Sequence, residues 1–297
     1  MMENTSTWQR TLGRVAFLNC DPLYHQISDK WKILAAPPAW LTGHLLRKDC
    51  LIAPIPAADW ALNRNELSLV PGMGIISDGS VGSVLLFGER EIEDMRDVAL
   101  PTDSATSRRL LMYLLKKRGH DPRPVEMGPD LETMLERCDG ALLIGDRALH
   151  EAQRRPDLVR MDLGMEWKDV TGLPMVFAVF ATHRDAPLDI VSDAYAELQN
   201  SLNSFRNPEV KEEIVSSCSD RSGFKKDRIR RYFEEVLYDF DSEVEAGLEM
   251  FISEVLEICD FQLSEEINQS LESPVNMPNA LSIADSSSSD ESLPPSP

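Results

Sequence analysis

Short apolar runs alternate with helical stretches along most of this chain, and the alternation restricts it to an α/β architecture with largely parallel sheets. Residues 14–18, 50–55, 67–70, 74–76 and 83–87 read as strands. Between them, 37–48 carries Trp40, Leu41, His44 and Leu45 at helical spacing, and 56–62 opens on a proline, as a short helix does. A second set repeats the scheme, with strands at 98–100, 124–127, 141–144 and 158–161 and helices at 106–118, 130–137 and 147–153. Residues 164–174, holding Gly164, Gly172 and Pro174, read as a loop that closes over a cleft. The apolar run at 176–181 then returns the chain to the first set. Helices follow at 188–205, 208–218, 227–235 and 242–258.

Two α/β sets, the second inserted into the first, predict two lobes with a cleft between them. The expected division is 1–90 for the first part of lobe 1, 91–177 for lobe 2 and 178–261 for the return with its C-terminal helices. Residues 262–297 differ in kind: acidic, rich in Ser and Pro, without a base, they predict a disordered tail.

Charge narrows the partners. Lys plus Arg number 30 against 50 for Asp plus Glu, a formal net charge of −20. Such a field repels nucleic acid and anionic membranes, so neither is expected as a partner. An anionic ligand must then be held by local donors rather than drawn in by the bulk field. The five cysteines, Cys20, Cys50, Cys138, Cys218 and Cys259, are scattered and form no CxxC, which fits a reducing compartment and no zinc site. The polar stretch 1–10 has no apolar signal core, and no run reaches the length of a membrane span. A cytoplasmic location is the expectation.

Polar residues at strand ends and helix starts are the candidates for a site, because ligands of open α/β sheets collect outside the carboxyl ends of strands. Asn19 follows the first strand; it is either a ligand-facing amide or a turn residue before Asp21-Pro22, which reads as an N-cap followed by a proline at the first helical position. Ser83 opens an apolar strand beside Gly82, either as a ligand contact or as a satisfied strand serine. Ser104, Thr106 and Ser107 lead into a helix, where free N–H groups favour a carboxylate; plain N-capping is the competing reading. Asp146 follows a buried strand, as a cap or as a group that orients a ligand hydroxyl. The histidines, His25, His44, His120, His150 and His183, show no metal-like spacing, and there is no GxSxG, P-loop or GxGxxG with a suitable helix.

Several of these segments resemble one family. Gly13-Arg14-Val15-Ala16-Phe17-Leu18-Asn19-Cys20-Asp21-Pro22-Leu23 is similar to its opening "GRVxYLNxxPL". Ser77-Asp78-Gly79 with Ser83-Val84-Leu85-Leu86-Phe87 is similar to "SDGPVxSVLLFS", Ser104-Ala105-Thr106-Ser107 to "SxTS", and Leu143-Ile144-Gly145-Asp146 to "LIGD". Asp162-Leu163-Gly164-Met165-Glu166-Trp167 and Thr171-Gly172-Leu173-Pro174-Met175-Val176-Phe177-Ala178 resemble "DLGxEWxxxTGLPFVFA". The family is the chorismate dehydratases of the futalosine route to menaquinone, matched in order over residues 13–258. Ala57 stands where the family commonly has Ser, Phe17 replaces a usual Tyr and Met175 a usual Phe.

The resemblance implies a type II periplasmic-binding-protein fold and loss of water from chorismate to give 3-(1-carboxyvinyloxy)benzoate. Hydroxide leaves C4, a proton leaves C3 and the ring becomes aromatic, with no cofactor and no metal required. The suggested base is the substrate's own enolpyruvyl carboxylate. By the same resemblance Asn19 and Ser83 line the reacting centre, and Ser104, Thr106, Ser107, Asp146 and Gly172 contact the substrate. Two other readings share the cleft: a non-catalytic small-carboxylate-binding protein, and the sibling 1,4-dihydroxy-6-naphthoate synthase, which is expected to rely on a histidine.

Overall fold

In the computed structural model, which describes residues 6–259 and 261–263, the strands sort into two five-stranded sheets. The chain begins with β1 (Thr11–Val15), α1 (Asp21–Tyr24), β2 (Lys32–Ala36), α2 (Pro38–Leu46), β3 (Ile52–Pro56), α3 (Ala57–Leu62) and β4 (Leu67–Ser77). It crosses over to β5 (Val84–Gly88), β6 (Asp97–Pro101), α4 (Ala105–Lys117), β7 (Arg123–Met127), α5 (Leu131–Leu135), β8 (Gly140–Ile144), α6 (Gly145–Arg154) and β9 (Val159–Asp162). It returns through α7 (Leu163–Thr171) to β10 (Met175–His183) and ends in α8 (Leu188–Phe205), α9 (Pro208–Ser222), α10 (Lys226–Glu235) and α11 (Ser242–Met250), with a π-helical turn at Phe251–Val255.

The first sheet has the order β2-β1-β3-β10-β4 and the second β7-β6-β8-β5-β9. In each, four strands run the same way and one, β10 in the first and β5 in the second, runs antiparallel between its two neighbours. β5 pairs with β8 and β9, so the first crossing lies between Ser77 and Val84, ahead of the division expected at residue 90. Hydrogen bonding across the sheet, which no local pattern displays, assigns the strand to its lobe.

Between β1 and β3, and between β6 and β8, pairing stops short of the carboxyl ends. β1 and β3 are registered only at Leu12↔Ile52, and Pro54 and Pro56 beyond it carry no N–H to donate. β6 and β8 are registered only at Val98↔Gly140 and Ala99↔Ala141. The freed strand ends and the loops after them face each other between the lobes, where this kind of sheet binds ligands.

The structure corrects four local expectations. The runs at 67–70 and 74–76 form one strand, β4, because β10 pairs with both, one register shift absorbing the Pro71-Gly72 irregularity between them. β2 has no counterpart among the expected strands; it is an edge strand, mostly exposed, held by its parallel register to β1. Residues 164–174 are mainly helix rather than loop: Asp162 caps α7, and Leu163 and Trp167 are buried one turn apart. Asp21 does not cap α1 but is its first residue, with Cys20 at the cap.

A continuous core runs through both lobes, with Trp60, Trp167 and Phe180 fully buried, and a smaller cluster in the second lobe gathers Phe87, Met134 and Leu143. Cys20, Cys50, Cys138 and Cys218 are buried thiols and Cys259 is exposed, all unbridged. The expected tail lies outside the described residues from 264 onward; Leu263, within that span, is buried, and its N–H donates to Glu249. Among the described residues no helix is long and apolar enough to cross a membrane.

Candidate active site

The facing strand ends line a narrow cleft with about 60 Å3 of free volume. Val15, Phe17, Asn19 and Cys20 come from the end of β1, Pro56 from β3, and Ile75, Phe177 and Ala178 from β4 and β10. The second lobe contributes Ser104, Thr106 and Ser107 at the start of α4 and Ile144 and Gly145 at the start of α6; the crossover adds Val81 and Ser83. The wall is mostly apolar with a few convergent polar groups, as in small-molecule sites generally. Among the described residues, no Asp, Glu, His, Lys or Arg is in it. Its one titratable group is Cys20, whose thiol burial pushes up to about 12, so it stays neutral.

Asn19 sits in a 3-10 turn, Leu18–Cys20, whose backbone is held on both sides. The Leu18 N–H donates to Asp146 at 3.1 Å, and the Tyr238 hydroxyl donates to the Asn19 carbonyl at 2.9 Å. The side-chain oxygen of Asn19 is buried without a partner. Leaving such a group unpaired costs about 1–3 kcal/mol, which a ligand donor recovers. The turn therefore aims a fixed amide into the cleft.

The start of α4 behaves similarly. Ser104 occupies the N-cap position yet makes no side-chain cap hydrogen bond, so plain capping does not account for it. Ser104 and Ser107 are buried and face the cleft with the free N–H groups of a 13-residue helix behind them. Thr106 also joins the two lobes. Its hydroxyl oxygen accepts the Ala58 N–H of α3 at 3.1 Å, and its own proton remains to be donated. Ala57, beside that contact, is fully buried and is not part of the cleft wall.

Other contacts hold the lobes closed. The Ala39 N–H at the start of α2 donates to the Asp103 carbonyl at 3.3 Å. Gly145, at φ +62°, lets the Phe17 ring approach to where a Cβ would stand at 2.6 Å. Asp162 accepts from Val81 and Gly82 in the crossover and from Gly164 and Met165 in α7, so one carboxylate organises both passages between lobes.

Of the residues expected in the site, Asn19, Ser83, Ser104, Thr106 and Ser107 meet in the cleft; Asp146 and Gly172 do not. Asp146 lies behind the wall, and both its oxygens take the Leu18 N–H, at 3.1 and 3.3 Å, so it holds the Asn19 turn from the opposite lobe. Burial pushes its carboxyl up to about 6, against the pull of the Leu18 hydrogen bond. Gly172 is exposed, in the left-handed conformation (φ +74°) that terminates α7. Sequence reasoning missed Ile75, Val81 and Phe177 as apolar walls, and Asp162. For Asp162 a signal existed, an Asp between an apolar run and Leu163-Gly164, as a helix cap reads.

The model of a menaquinone-biosynthesis family matches residues 10–257. The chain belongs to that family. A chorismate dehydratase of Thermus thermophilus is 34% identical over 192 residues, covering 59% of this chain and 70% of the relative. Among solved structures, a protein of Archaeoglobus fulgidus superposes with a TM-score of 0.69 at 17% identity, over 83% of this chain and 96% of the other. The periplasmic aliphatic sulphonate binding protein of Escherichia coli gives 0.58 at 15% identity, over 83% and 87%. A Candida albicans protein with the generic periplasmic binding protein fold gives 0.61 at 11%, over 90% and 95%. The two-lobed fold is thus that of the periplasmic binding proteins.

Proposed function

We propose that this protein is a chorismate dehydratase, a carbon–oxygen lyase that removes water from chorismate to give 3-(1-carboxyvinyloxy)benzoate, the first step of the futalosine route to menaquinone, carried out in the cytoplasm. The observation that carries this reading is the cleft wall: uncharged donors and acceptors, the Asn19 amide oxygen unpaired among them, in apolar surroundings with, among the described residues, no charged side chain. That composition suits a dicarboxylate that brings its own base. Family membership and the dehydratase relative support the same substrate.

In this reading one substrate carboxylate rests on the α4 start, held by Ser104, Ser107 and backbone N–H groups. This answers how a chain of net charge −20 holds an anion: the helix end and hydroxyls act at contact range, where a distant field is screened. Asn19 and Ser83 hold the ring so that the enolpyruvyl carboxylate lies against the C3 proton. The C3–H bond breaks toward that carboxylate and the C4–O bond breaks. The departing hydroxide takes up a proton as water, and the ring electrons close the aromatic sextet. The protein's contribution is positioning and exclusion of water.

The sibling synthase reading needs a histidine in the cleft. His25 instead meets Ser204, His44 meets Asp49, His120 meets the Met95 carbonyl, His150 lies against Phe224 and His183 meets Asp185. The test is incubation of purified protein with chorismate, followed by mass and ultraviolet absorbance. Loss of one water to an aromatic product is expected. Chorismate left intact while another carboxylate binds tightly would overturn the reading in favour of a binding protein.

A further inference from the structure

Tyr232 is fully buried, yet its hydroxyl has no hydrogen-bond partner. Few buried hydroxyls are left so, and each calls for an explanation. Its ring is well packed: Phe233 stacks at 6.3 Å and the Arg228 guanidinium lies 5.7 Å above it. The orphan is therefore confined to the oxygen. Tyr232 stands one turn from both Arg228 and Glu235, whose side chains close on Gly82, and the neighbouring Ser83 hydroxyl acts on the phenol without forming a hydrogen bond to it. Burial pushes the phenol well above its ordinary range, so it stays a neutral donor.

The approach of α10 to the crossover is built for this contact. Gly82 sits at φ +65°, and a Cβ there would stand 2.4 Å from the Glu235 carboxylate and 2.6 Å from the Arg228 guanidinium, both on α10. The left-handed backbone favours glycine at the point where these α10 side chains close on the segment that carries Ser83. Arg228 and Glu235 are paired with each other at 3.0 Å, and neither takes the Tyr232 hydroxyl.

We propose that Tyr232 is a positioning residue for Ser83: its hydroxyl donates to the Ser83 oxygen when substrate fills the cleft, turning the Ser83 proton toward the oxygen that leaves C4. A serine hydroxyl has one proton and two acceptor sites, so a donor from behind settles which way its own proton points. In the ligand-free protein no hydrogen bond joins the pair. The inference rests on the dehydratase reading for the identity of the leaving oxygen; the pairing itself rests on the geometry.

The experiment compares wild type, Tyr232→Phe, Ser83→Ala and the double variant. Tyr232→Phe keeps the ring and removes one oxygen. With chorismate, kcat is expected to fall about 10-fold with KM within about 2-fold, and the double variant to be no slower than Ser83→Ala alone, because the two groups act as one unit. Wild-type kcat in Tyr232→Phe, or effects that multiply in the double variant, overturn the proposal. A second arm uses the ligand-free proteins: Tyr232→Phe is expected to melt at or above the wild-type temperature. A fall of more than about 3 °C would show a structural partner for the hydroxyl and overturn the proposal on its own. If wild type leaves chorismate intact, the dehydratase reading falls, and a lowered melting temperature in Tyr232→Phe still overturns the pairing on its own.

Discussion

Helices α4 and α7 each follow a strand of the second sheet and each begin at a polar turn, yet their first turns are finished in opposite ways. At α7 the Asp162 carboxylate accepts the Gly164 and Met165 N–H groups, at 3.0 and 3.2 Å, so the helix end is closed by its own chain. At α4 the residue in the same position, Ser104, makes no cap bond, and the end opens on the cleft. Capping contributes about 0.5–2 kcal/mol, so an uncapped start in a buried place is a stabilising interaction forgone. The ligand position is thus marked by the cap that is missing. A helix start is a common feature; an unfinished one beside unpaired hydroxyls and an orphan amide is specific.

The largest test makes α4 resemble α7. Ser104→Asp should cap the helix and raise the melting temperature while placing a negative charge against the substrate carboxylate. Turnover of chorismate should drop by about 10²-fold or more, as on losing an electrostatic contact. A variant as active as wild type would show that the α4 end is not where the anion rests. The reverse change, Asp162→Ala, should open α7 and release Val81 and Gly82. Urea unfolding should show a loss of about 2–3 kcal/mol, since a carboxylate accepting several N–H groups is removed.

Asp146 sharpens the contrast, because it too accepts a backbone N–H but across the lobes. Its folded carboxyl sits at about 6, above its ordinary 3.8. The folded protein therefore binds the proton more tightly than the unfolded chain does. That contribution is full below about pH 4, is lost as pH rises to about 6, and is absent above it. Asp146→Asn keeps an acceptor for Leu18 and removes the charge. It should erase this slope and gain on the order of 1–2 kcal/mol at pH 7, with activity largely retained. Loss of activity in Asp146→Asn would return Asp146 to the chemistry. The smallest effect is expected at Gly172→Ala, where the left-handed cap of α7 should cost about 1 kcal/mol with unchanged turnover.

The two α/β sets and the return strand are legible in the sequence because apolar periodicity is local, and residues 188–205 match α8 in full. β2 is hidden there: its exposed side chains carry little pattern, and its strand character comes from pairing with β1. β4 reads as two pieces because of Pro71-Gly72, where the partner strand rather than the local residues carries the pairing. Gly164 and Gly172 make α7 read as a loop. Yet Gly164 is needed because the helix start packs on the Gly79 carbonyl and the Ser77 hydroxyl, each 2.5 Å from where a Cβ would stand. In the site, hydroxyls and amides announce themselves by type and by position after strands. Which of them stay unpaired does not show, since a cap bond made or left unmade depends on a few degrees of backbone.

Local pattern and composition were enough to establish the architecture, the strongly acidic body that must hold any anion by contact, and the motifs that mark the family. Three things came only from the folded chain: that β5 belongs to the second lobe, that Asp146 and Gly172 stand outside the cleft, and that Tyr232, 149 positions beyond Ser83, lies beside it. Each of those depends on pairing and packing between distant segments, and the energies that settle them belong to contacts no local window contains.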